Sequence, residues 1–98
     1  MNATPNFMNS LSPEEATEAV FALLDVMAET FVADEWEDVL AGGVEAYATA
    51  HVKSFRRSLE SQGITPSDVT EGAQRFGIAI RRECMARMSF ETAKGGEA

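Results

Sequence analysis

The chain of 98 residues holds one cysteine, Cys84, and one histidine, His51. A lone thiol closes no internal disulfide, and a single imidazole without a second Cys offers no metal-ligand spacing. The fold is therefore expected to stand on packing alone, with no metal site and no cofactor. Long apolar runs are missing too. Nothing nears the roughly 18 uninterrupted residues of a membrane span. The opening MNATPNFMNS has neither the basic region nor the apolar core of a secretion signal. These absences point to a cytoplasmic protein that keeps away from membranes.

The most informative absence is local. Residues 1–50 contain no Lys or Arg against ten acids, a net −10, while residues 51–98 hold eight bases and six acids, a net +2. A split of this kind suits either two halves that face each other or an acidic half that faces a basic partner. It disfavours direct binding of nucleic acid by the first half, because phosphates repel carboxylates.

What is present reads as one folded helical domain. A hydrophobic fraction of 45% and a charged fraction of 24% belong to a globular chain. Ser12-Pro13-Glu14-Glu15 is a helix start carrying three signals: an N-cap serine, proline at the first helical position, and a glutamate that closes a capping box. Ala16, Ala19, Val20, Leu23, Met27 and Phe31 then recur at helical spacing, predicting a first helix over residues 13–32. A second apolar line, Phe21, Leu24, Ala28 and Val32, flanks the first. The face is wider than one helix–helix contact needs, which predicts an oligomer interface on that second line.

Asp34 is placed to cap a second helix starting near Glu35, with Glu37 and Asp38 favourable at its positive end. That helix is expected over residues 35–62, using Leu40, Val44, Ala48, His51, Phe55 and Leu59, and ending at Gly63. Gly42-Gly43 marks either a kink in a continuous helix, the favoured arrangement, or a break. Thr65-Pro66-Ser67-Asp68 repeats the start grammar and opens a third helix over 66–92, with Val69, Ala73, Phe76, Ile80 and Cys84 as one stripe. Ile78, Met85 and Met88 lie on a neighbouring face. Gly72, Ala73 and Gly77 form a smooth patch suited to a close helix crossing, with Gly42-Gly43 as a candidate partner. The expected architecture is all-α, a small antiparallel three-helix bundle. A flexible arm of residues 1–11, with Phe7, Met8 and Leu11 as anchors, precedes the helical domain of residues 12–93, and a frayed tail of residues 94–98 follows it.

Catalytic grammar is thin. His51 has only Glu45 and Ser54 as helical neighbours, so a structural role is expected, and Cys84 on an apolar stripe reads as an inert buried thiol. No phosphate loop exists, since no Lys-Ser/Thr follows Gly42-Gly43. The segment LESQGITPSDVTEGAQRFGIAIRR has helix-turn-helix order, but Asp68 and Glu71 open what would be its recognition helix. The sequence therefore points to a non-enzymatic interaction protein, an accessory or inhibitor protein of the kind that viruses encode. It would self-associate and bind a basic protein partner through Asp34, Glu35, Trp36, Glu37 and Asp38. The competing readings are a nucleic-acid mimic and, below it, a DNA-binding regulator.

Overall fold

The computed structural model describes residues 12–96, with side chains to residue 92. Among the described residues there are four helices where three were expected: α1 Pro13–Asp34, α2 Trp36–Gly42, α3 Val44–Ser61 and α4 Pro66–Gly96. Among the described residues none is long and apolar enough to cross a membrane. The capping box at Ser12 forms as expected. The Glu15 N–H donates to Ser12 Oγ at 3.1 Å and the Ser12 N–H donates to Glu15 Oε1 at 2.9 Å. The arm of residues 1–11 and residues 97–98 of the tail lie outside the described residues, whereas residues 94–96 continue α4.

Two boundaries differ from the sequence expectation. Asp34 is the last residue of α1 and not a cap, because the corner falls at Glu35, whose backbone leaves helical geometry at φ −115°, ψ 28°. The second helix breaks outright at Gly43, where φ is +94° and ψ 155°, a conformation that side chains disfavour and glycine adopts freely. A kinked but continuous helix is therefore corrected to two helices with a sharp turn between them.

α4 is the centre of the bundle. Its Val69, Ala73, Phe76, Ala79, Ile80 and Cys84 are all buried, so the stripe read from the sequence faces inward, while Ile78 and Met85 on the neighbouring face are exposed. α3 packs antiparallel to α4, with Phe55 against Phe76 and Glu45 paired to Arg81. α1 runs parallel to α4, with Phe21 beneath Arg75 near the start and Val32 level with Arg87 further along. The close crossing does use the glycines of α4, but its partner is α3 and not Gly42-Gly43. A Cβ at Gly77 would stand 3.0 Å from Val52 Cγ2, and one at Gly72 would stand 3.3 Å from Leu59 Cδ1.

The two apolar lines of α1 divide differently from the expectation: Met27 and Phe31 of the first line pack against the core, but so does the second. Leu24, Ala28 and Val32, expected at an oligomer interface, are buried in the chain's own core, and Phe21 packs against that core. They lie on the side of α1 that meets α4. From the first line, Val20 is 46% exposed and Leu23 58% exposed, and Val26 beside them is 57% exposed. The wide apolar face is real, but its free part is the other edge. Leu40, expected on the inner stripe of the second helix, also points outward at 60% exposure, because the break at Gly43 rotates α2 relative to α3.

Phe76 is 1% exposed, with the Phe55 ring 4.6 Å away and the Phe31 ring meeting it edge-on at 6.2 Å. Phe76→Ala is expected to cost about 3–5 kcal/mol in urea unfolding. At the corner the two glycines should respond with opposite sign. Gly42 is helical with nothing near its Cβ position, so Gly42→Ala should stabilise by up to about 1 kcal/mol. Gly43→Ala meets no atoms either, yet should destabilise by about 1–3 kcal/mol through backbone strain alone.

Candidate functional site

The corner between α1 and α2 gathers the acids singled out in the sequence, and it does so around a side-chain node. The Glu35 carboxylate reaches toward α3, its side chain still 40% exposed. Tyr47 donates its hydroxyl to Glu35 Oε1 at 2.7 Å, and His51 Nε2 lies 2.8 Å from the same oxygen. The Tyr47 hydroxyl bond, and after it the His51 bond, hold the Glu35 carboxyl below the ordinary glutamate range. An ionised carboxylate only accepts, so the proton of the second bond sits on His51 Nε2. Burial first, and then the Glu35 carboxylate, push the Tyr47 hydroxyl above its usual range.

Helical spacing makes the node possible. Tyr47 and His51 are four residues apart on one face of α3, with ring centres 4.5 Å apart, and the Phe31 ring of α1 packs 5.0 Å from His51. His51 thus has the orienting carboxylate that its sequence neighbours did not supply. No Ser, Thr or Cys hydroxyl or thiol joins His51 among the described residues. Cys84, fully buried in α4, has its thiol pushed up by burial. The arrangement fixes a corner and holds no nucleophile for His51 to activate. Among the described residues no group of three or more His, Cys, Asp or Glu side chains could hold a metal.

Trp36 begins α2 and is half-buried against the core. The Arg87 guanidinium of α4 lies over its ring, 5.3 Å from the centroid, with Nε buried and without a hydrogen-bond partner. Asp34, Glu37 and Asp38 are exposed and make no ion pair among the described residues. With Ala33, Glu35, Trp36 and Arg87 they line a shallow depression of about 430 Å³. Of the five residues expected to bind a partner, the structure therefore sets three outward. It commits Glu35 to the bonds with Tyr47 and His51 and places Trp36 between core and surface.

Sequence reasoning missed Tyr47, Arg87 and the outward Leu40. Arg87 stands 51 residues beyond Trp36, and only the parallel packing of α4 on α1 brings it there. The Tyr47-His51 spacing was the one local signal, since a donor pair on a single helix face marks a place for an acceptor.

Elsewhere the two halves of the chain do face each other, at two points. Arg81 grips Glu45 through Nε and a terminal nitrogen at 2.9 and 3.1 Å, which lowers the Glu45 carboxyl. Arg75 stands 3.7 Å from Asp25 with its guanidinium 4.9 Å from the Phe21 ring centre. On α1, Glu14, Glu18, Asp25 and Glu29 fall within about 60° of one another around the helix at 100° per residue, forming one acidic row. No protein-family model matches the chain, and no curated protein or solved structure matches it.

The node carries a pH signature. Its stabilising contribution is complete above the ordinary glutamate pKa of about 4.3 and is lost as pH falls through the lower folded value. Glu35→Gln should therefore be less stable than the wild type at neutral pH, by less than the Phe76→Ala loss because the Glu35 side chain is 40% exposed. The gap should close as pH falls below the ordinary glutamate range. Urea unfolding of both proteins across that range checks this, and a gap that does not change with pH would place the contribution elsewhere.

Proposed function

We propose that this protein is a non-catalytic binding module whose acidic α1–α2 corner takes a basic partner protein. The observation that supports the reading is the set of uncompensated carboxylates at that corner. Asp34, Glu37 and Asp38 stand in solvent and line one depression with the half-buried Trp36. Acids beside a partly exposed aromatic ring combine steering of a cationic partner with apolar surface for it to bury. The first turn of α2 accounts electrostatically for Glu37 and Asp38. It does not account for Asp34, which ends α1 where a negative charge is unfavourable. A role as an accessory or inhibitor protein belongs to the same proposal.

Self-association belongs to it as well, through the outer edge of α1. Leu23 and Val26 carry the exposed apolar surface that the inner line lacks.

A second reading, mimicry of a nucleic acid, draws on the row of Glu14, Glu18, Asp25 and Glu29, which continues the corner's charge along α1. In that reading the partner is itself a nucleic-acid-binding protein, and duplex DNA competes with this chain for it. Direct DNA binding ranks lowest: Asp68 and Glu71 are exposed at the start of α4, and Arg75 and Arg81 are engaged by Asp25 and Glu45.

Because Trp36 packs against the core, its truncation would mix stability with binding, and charge reversal is the cleaner test. The double variant Glu37→Lys, Asp38→Lys should keep the wild-type circular dichroism and lose only a few degrees of melting temperature, from the two charges that leave the first turn of α2. It should lose a partner captured by the wild type from native lysate, with an affinity about tenfold or more weaker and a flattened salt dependence. Equal capture by both proteins would remove the corner from the binding surface.

A further inference from the structure

The bundle carries a groove of opposite sign to its acidic corner. Between α3 and α4 a depression of about 410 Å³ has Val52, Ala73 and Gly77 as its floor and Lys53, Arg56 and Arg81 as its rim. Three of the eight Lys and Arg residues of a chain of net charge −8 thus converge on one place. Lys53 and Arg56 make no ion pair among the described residues. Arg81 gives Glu45 its Nε and one terminal nitrogen, while the other, Nη1, lies across Gly77, where a Cβ would come within 3.0 Å of it. We infer that this groove takes α1 of a second copy of the chain, with the acidic row of α1 against the cationic rim.

Charge complementarity selects that occupant. Glu18 and Glu29 are exposed and make no ion pair among the described residues. Glu29 lines the depression between α1 and α4 with Glu83 and Ala86, so α4 stands between the row and the Lys53 and Arg56 of its own chain. Row and groove are complementary in sign, yet within one molecule they do not meet.

Spacing agrees. Glu18 and Glu29 are 11 residues apart on α1, about 16 Å along the axis. On α3, Arg56 and the Glu45 that holds Arg81 are also 11 residues apart. Two carboxylates at the ends of three helical turns therefore match two guanidinium groups at the same separation. Ala22 and Val26 fall within about 80° of Glu18 and Glu29 around the helix, so they come over the apolar floor as the carboxylates reach the rim. Ala22 is exposed and Val26 is 57% exposed. The contact rests on the self-association proposed for this edge of α1 and supplies the surface that receives it. Three helical turns bury less than the about 800 Å² per partner of a standard interface, which places the association at about 100 µM and not in the nanomolar range. Because each copy keeps a free row and a free groove, assembly closes into a ring or continues past the dimer.

Two reciprocal variants of the full chain test this by sedimentation equilibrium. Glu18→Lys, Glu29→Lys makes the row basic, and Lys53→Glu, Arg56→Glu makes the rim acidic. Each should keep its helical circular dichroism and stay monomeric from about 10 µM to about 1 mM, a range over which the mean mass of the wild type rises above the monomer's. Mixed in equal amounts the two should associate again, since each offers the sign that the other needs. Both variants remain net acidic, four charges either side of −8, so no overall attraction accounts for the recovery. The inference is overturned if either variant associates as the wild type does, or if the mixture stays monomeric. If Leu23→Ser, Val26→Ser prevents association and neither charge reversal does, self-association through α1 stands and the groove is not its acceptor. A monomeric wild type overturns both, and shifts of the Lys53 and Arg56 amide signals on adding polyglutamate would then give the groove to an acidic partner.

Discussion

The burial of one side of α4 is the constraint on which the bundle rests. α1 and α3 meet chiefly through α4 and only sparsely each other. Most of the packing between the long helices therefore passes through the stripe from Val69 to Cys84. Two properties of that stripe do different work. Phe76 and Ile80 supply apolar bulk at the middle, where Phe31 and Phe55 close on it from either side. Gly72 and Gly77 remove bulk at the flank, where Val52 and Leu59 of α3 would otherwise strike a side chain. Bulk shared by both neighbours at the middle and smoothness toward α3 at the flank let one helix serve two neighbours at once.

Three long helices with the middle one shared leave the outer two to be held relative to each other at their ends. At one end Glu35 does this through two bonds to α3, and it can because the chain turns there, bringing a carboxylate from the α1–α2 junction onto the Tyr47-His51 face. At the other end no comparable polar tie exists among the described residues, and the space between α1 and α3 is lined mainly by apolar side chains. The difference between the ends is chemical: a charged acceptor with two aromatic donors at one, aliphatic and aromatic surface at the other.

The charge split of the sequence becomes a spatial division of labour. Asp25 and Glu45 meet arginines of α4 across helix boundaries, so part of the imbalance is neutralised inside the chain. Arg87 spends its charge on the face of Trp36 instead of on a carboxylate. What remains unpaired is concentrated on the outer side of α1 and at the α1–α2 corner, where cations are scarce because the first half of the chain has none. Exposed carboxylates of this kind are weakly coupled to stability and strongly coupled to the field seen by an approaching molecule.

The sequence alone determined the helical class, the starts at Ser12 and Thr65, and the inner face of α4. Each of these follows from local rules: capping groups satisfy orphan amides within four residues, and a periodic apolar stripe has only one way to face inward. It did not determine which edge of α1 faces inward, since both apolar lines are long enough and only the parallel packing on α4 chooses Leu24, Ala28 and Val32 over Val20 and Leu23. Nor did it determine where the second helix breaks, because two adjacent glycines permit a positive φ without requiring one; the turn is drawn at Gly43 by the demand that α3 return along α4. The Glu35 node was equally hidden, because Glu35 and His51 are 16 residues apart and separated by that turn. Local hydrogen bonding and periodicity are written in neighbouring residues, whereas the facing of α1, the break and the node depend on distances between helices, which only the folded chain sets.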